Sequence, residues 1–111
     1  MTPAKLVKSL PTQVKVGYNI YTIENWPTVL ATAADRYGEC DRMNQIIRLR
    51  TDLPIRRLAN TLIHEIMHAC WENAAADGGG EEQVVTVMSN QLSSVFTDSP
   101  DIVRWLSKAL V

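Results

Sequence analysis

The stretch from residue 54 to 73 does most to decide what this chain can fold into. Ile55, Leu58, Ala59, Leu62, Ile66 and Ala69 recur at spacings of three and four, which makes one side of a long helix apolar. Thr51 and Asp52 precede it as candidate caps, and Pro54 stands at an early helical position. In the middle of this helix lies His64-Glu65-Ile66-Met67-His68.

Four residues apart, His64 and His68 stand one above the other, about one turn of roughly 5.4 Å apart. Their imidazoles can converge on one ion at about 2.0–2.1 Å, the usual zinc–nitrogen distance. Glu65 is turned by roughly 100° from His64, so it flanks the ion instead of joining the ladder. That is the place for a base that touches a metal-bound water without displacing it. The expected chemistry is hydrolysis of a peptide bond in a protein substrate. Zinc lowers the pKa of its water towards about 7 and polarises the carbonyl, while Glu65 passes the proton to the leaving amine. The bland alternative is a surface helix with two histidines by chance. Against it, the chain has only two histidines, and both are in the motif.

Zinc needs a further protein ligand. Glu72 continues the ladder, but it lies eight residues from His64, roughly 12 Å along a straight helix. It suits an outer role, orienting a histidine. Glu81 and Glu82 remain. Both follow Asp77-Gly78-Gly79-Gly80, a turn that would let the next helix pack antiparallel to the motif helix. Glu82 shares a stripe with Val85, Ser89, Leu92 and Phe96, whereas Glu81 aligns with Met88 and Leu92. Glu82 is the preferred third ligand and Glu81 the alternative. The plain reading of both is as acids favoured by the helix dipole.

Elsewhere the pattern is that of one α+β domain spanning residues 1–111. The length leaves no room for a second domain, and 46% apolar residues suffice for a core. Residues 1–12 read as a loose arm or a short turn. Val14, Val16, Tyr18 and Ile20 alternate with polar neighbours as in a half-buried strand, which can run on to Ile23. A helix follows from Pro27 to about Arg36, with Gly38 as its stop. Gln45-Ile46-Ile47-Arg48-Leu49 reads as a second strand. A helix from Glu81 ends at Asp98-Ser99-Pro100, and a last one covers residues 101–110. The expectation is a sheet of two or three strands packed on the motif helix, with two or three further helices.

The net charge of −1 gives no basic surface for direct nucleic-acid binding. Arg48, Arg50, Arg56 and Arg57 read as a solvated face. No stretch is long and apolar enough to span a membrane, and the N-terminus does not read as a signal peptide. The expected compartment is therefore the cytoplasm, with Cys40 and Cys70 as free thiols, although one disulfide is compatible with the sequence. Cys70 lies on the apolar side of the motif helix and reads as core, with a nucleophile as the minor alternative.

The run Thr61-Leu62-Ile63-His64-Glu65-Ile66-Met67-His68-Ala69, followed after a gap by Glu81-Glu82-Gln83-Val84-Val85, resembles small phage and prophage zinc peptidase-like proteins. These are distantly similar to the ImmA/IrrE group of cytoplasmic metallopeptidases. The likeness takes in Arg36-Tyr37-Gly38-Glu39-Cys40-Asp41 and the strand at 45–49, and it covers roughly residues 14–108. It implies a reduced zincin fold, a glutamate from the following helix as third zinc ligand, and the cytoplasm of a bacterial host. Two departures set this chain apart. Gln83-Val84-Val85 replaces the group's Ala-Asn signature, and no helix-turn-helix is recognisable, so repressor cleavage is an analogy only.

Three further features bear on function. Tyr37 is a candidate donor to the oxyanion. The strand at 45–49, if an edge, could pair with an extended peptide. Trp26, Trp71 and Trp105 read as packing residues, with a substrate groove as the alternative. The leading hypothesis is a zinc metalloendopeptidase. The competing one is a zinc-containing protein-binding or regulatory module with little turnover. Glu65 separates them, because a structural site has no use for a base there.

Overall fold

Alternating burial along three strands puts one face of a sheet in the core and the other in solvent. Val14 and Val16 of β1 (Gln13–Val16), Tyr21 and Ile23 of β2 (Asn19–Asn25), and Ile47 and Leu49 of β4 (Ile46–Leu49) are all buried. The structure, a computed structural model, describes residues 2–111. These residues form a four-stranded mixed sheet and five helices, an α+β fold. The strand order is β1-β2-β4-β3, with β3 spanning Gly38–Asp41. β1 and β2 are antiparallel, β2 and β4 parallel, and β3 and β4 antiparallel.

Against the buried face lies α3 (Ile55–Asn73), which contributes Leu58, Ala59, Leu62, Ile66, Ala69 and Cys70. Met88 and Val95 of α4 (Glu81–Asp98) and Ile102, Trp105, Leu106 and Ala109 of α5 (Pro100–Ala109) complete the core. Fully burying an aliphatic side chain of this size contributes about 1.5–3 kcal/mol. No helix is long and apolar enough to cross a membrane among the described residues.

Several elements differ from the sequence pattern. The alternating run at 14–23 is a hairpin, because Gly17 adopts φ +62° and turns the chain in two residues. The turn changes which residues face inward, so Tyr18 and Ile20 are exposed while Tyr21 and Ile23 are buried. Residues 3–8 form a short helix, α1 (Pro3–Lys8), held where Trp105 Nε1 donates to the Leu6 carbonyl at 2.8 Å. The helix after Pro27 is only α2 (Thr28–Ala33), and Gly38 opens a strand instead of ending that helix. The sheet therefore has four strands where two or three were expected, and β4 lies inside it. The edge strands are β1 and β3.

Thr51 and Asp52 do not cap α3. Thr51 Oγ1 donates to Asn25 Oδ1, and Asp52 accepts two hydrogen bonds from the Arg50 guanidinium. Trp26 and Trp105 are core residues. Both cysteines are free.

Candidate metal centre

The edge strand β3 lies unusually close to α3, and this closeness builds the site. A Cβ on Gly38 would stand 2.8 Å from Thr61 Cγ2 and 2.9 Å from the Arg48 carbonyl, so only glycine fits there without displacement. From that contact β3 and α3 advance in the same sense. Arg42, just past the strand, reaches Glu72 near the end of the helix at 2.9 Å. Between these two points, His64, Glu65 and His68 line a hollow of about 400 Å³ with Arg36, Gly38, Glu39, Cys40 and Arg42.

His64 Nε2 and His68 Nε2 are 3.2 Å apart, with the rings edge to face. Two nitrogens bound to one tetrahedral ion at about 2.0–2.1 Å stand roughly 3.3 Å apart. The pair is thus spaced as ligands of a single ion, with the Glu65 carboxylate beside it; one ligand atom from each residue falls within 4.8 Å of the others. Two imidazoles and a carboxylate at this spacing form a group that could hold a metal ion, without selecting one metal.

Burial separates the three residues. Both histidines are exposed, whereas Glu65 is 5% exposed. Burial pushes the Glu65 carboxyl above its usual value; His64 and Arg36 pull it back down, and Glu39 adds to the rise. His68 is held below the usual histidine value by burial, then by the charges of His64 and Arg42. The neutral imidazole favoured in this way is the form that binds a metal.

Of the other candidates, Glu72 pairs with Arg42 at the exposed rim of the cleft. Glu81 and Glu82 open α4, are both exposed, and lie outside the three-residue group. Glu81 stands three and seven residues before Val84 and Met88. Those two line a second hollow, of about 420 Å³, with His64, Met67, His68 and Trp71. Glu82 leads instead to Val85, which is 53% exposed. Gln91 of α4 accepts from Asn73, so along this contact both helices advance in the same sense, not antiparallel.

Tyr37 is not brought to the histidines. Its ring is held by Arg57 and Arg50, whose guanidinium carbons lie 5.4 and 5.9 Å from its centroid, and it lines a separate hollow with Arg56, Asn60 and Thr61. Cys70 is fully buried and its thiol is pushed up to about 11 by burial, which removes the nucleophile alternative. Cys40 is half-buried in the cleft. Burial, then the Glu65 charge, push its thiol to about 11, so it stays protonated near neutral pH.

Arg36, Glu39 and Arg42 do not read as site residues because no motif spacing in the sequence ties them to His64 and His68. The signal that could have found them is Gly38, whose lack of a side chain permits close packing as well as a helix stop. No family model, curated protein or solved structure matches this chain.

Proposed function

We propose that this chain is a zinc-dependent peptidase in which His64 and His68 hold the ion and Glu65 is the general base. The observation that carries the reading is the 3.2 Å spacing of the two Nε2 atoms beside a buried carboxylate. When bound, zinc makes water a nucleophile near neutral pH and draws charge from a carbonyl oxygen. Glu65 takes the proton from that water and returns it to the departing amine. Its raised affinity for protons, from burial, suits a group that must both accept and release one. The third ligand would be a carboxylate from the pair that opens α4. Glu81 is favoured because it shares a stripe with Val84 and Met88, which line the hollow beside the histidines.

An extended substrate has a place to bind. β3 is an edge strand along the cleft, and its outer side has no strand partner among the described residues. A peptide can pair with it and lay its backbone past Glu65. The cytoplasm of a bacterial host, which the resemblance of the motif segment implies, is part of the same proposal.

Metal analysis of chain purified without chelator tests the reading. One zinc per chain in wild type and none in His64→Ala is the expected result. A wild-type chain without zinc would overturn it.

A further inference from the structure

Four charged side chains line the cleft, Arg36, Glu39, Arg42 and Glu65, and they differ in how they are paired. Two arginines line it, and one is committed: Arg42 is bound to Glu72. Nearby arginines are also held, Arg48 by Glu39 and Asp41, Arg50 by Asp52, and Arg57 over the Tyr37 ring. Arg36 lines the same hollow as His64, Glu65 and His68 and makes no ion pair among the described residues.

The backbone delivers Arg36 to that position. Asp35 has φ +56°, in the left-handed region that Asp and Asn enter more readily than other non-glycine residues. The Asp35 N–H donates to the Thr32 carbonyl, and the Arg36 N–H donates to the Ala31 carbonyl at 3.1 Å. This turn ends α2 and swings the chain to β3, so Arg36 enters the cleft from the strand side. Its nearest chemical rival, Tyr37, is held outside by two arginines.

Resting on the peptidase reading above, we infer that Arg36 binds the negative charge that develops on the substrate carbonyl oxygen during hydrolysis. When water adds to the carbonyl carbon, the C=O π electrons move to oxygen, and that oxygen becomes an anion. A guanidinium offers parallel N–H donors to such a centre and keeps its charge at every working pH. It does not compete with Glu65 for the proton, so base and anion acceptor can share one cleft.

The test compares two small probes with the same leucine side chains on the zinc-loaded full chain. One is a phosphonate, a tetrahedral oxyanion; the other is a hydroxamate, which chelates zinc as a planar anion and has no tetrahedral oxyanion. Binding is read by calorimetry for wild type, Arg36→Met and Arg36→Lys. Arg36→Met should weaken the phosphonate roughly a hundredfold, on the scale of losing one oxyanion donor. The hydroxamate should change by less than about threefold, and Arg36→Lys should recover part of the loss. An unchanged phosphonate affinity, or equal losses for both probes, would overturn the assignment. So would a loss seen only when the phosphonate ends in a free carboxylate and not in an amide, because Arg36 would then be reading the substrate's terminus. Zinc content is measured on the same samples. Wild type without zinc would overturn the metal site and this inference with it, whereas zinc bound with no phosphonate effect overturns Arg36 alone.

Discussion

The two sides of the histidine pair differ in kind. Towards β3, the cleft is lined by Arg36, Glu39, Arg42 and Glu65. Towards α4, the same histidines border Met67, Trp71, Val84 and Met88. Groups that handle protons and charge are gathered on the strand side, and the helix side supplies an apolar wall. An ion held between them would face a polar cleft on one side and an apolar backing on the other. The helix makes this division by itself: successive residues of α3 turn by roughly 100°, so Glu65 and Met67 fall on opposite flanks of the His64–His68 line.

The largest test of that division is Glu65→Gln. It should leave zinc content unchanged and lower the cleavage of any identified substrate by about 10²–10⁴-fold, the usual contribution of a general base. Zinc loss in this variant would instead make Glu65 a ligand. The same change has a pH signature in the metal-free protein. The folded carboxyl titrates above its usual 4.5. Below pH 4.5 both folded and unfolded chains carry the proton, so wild type and variant should be equally stable apart from the substitution itself. As pH rises through the raised folded value, the unfolded chain ionises first and wild type loses stability that the glutamine variant keeps. Urea melts at pH 4 and pH 7.5 read the difference. His68 works in the opposite sense, because its lowered value makes stability fall as pH drops below 6.5.

On the apolar side, Met88→Ala should destabilise the fold by about 2–3 kcal/mol, the lower part of the range for truncating a buried methionine. It should barely change zinc affinity. A large loss of zinc affinity would show that the wall does more than pack. On the polar side, Gly38→Ala should cost about 1–3 kcal/mol, because the added methyl forces β3 away from Thr61. It should also weaken phosphonate binding, since Arg36 enters the cleft with that strand. The smallest effect belongs to Arg42→Met. Its bond to Glu72 joins two side chains about half exposed, and such pairs contribute about 0–1 kcal/mol. A larger change in the urea midpoint would give the rim a structural role.

Much of the helical part was legible because helices are local. Residues 54–73 were expected and Ile55–Asn73 is observed, and the helices at the C-terminal end agree as closely. His64, Glu65 and His68 were legible for the same reason, since one turn of one helix brings them together. The sheet was harder. β3 reads Gly38-Glu39-Cys40-Asp41 and has no apolar alternation, so it is a strand only by pairing with β4. The hairpin was hidden because Ile20 continues the spacing of Val14 and Val16 across Gly17. The order of the strands, and hence which one borders the cleft, depends on pairings far apart in sequence. Arg36 and Met88 were missed on the same ground, because each meets the histidines only through the tertiary fold.

The bond from Trp105 to the Leu6 carbonyl spans 99 residues, and that from the Lys15 N–H to Ser99 Oγ spans 84. Closing such long loops costs chain entropy before any contact repays it. The histidine pair needs only one helical turn, so the two parts of the molecule should mature on different clocks. Helix α3 can present its ligands early, and the seam between α1 and α5 locks late. The spacing of His64 and His68 is thus set within one turn of one helix, whereas the seam between α1 and α5 depends on the whole chain.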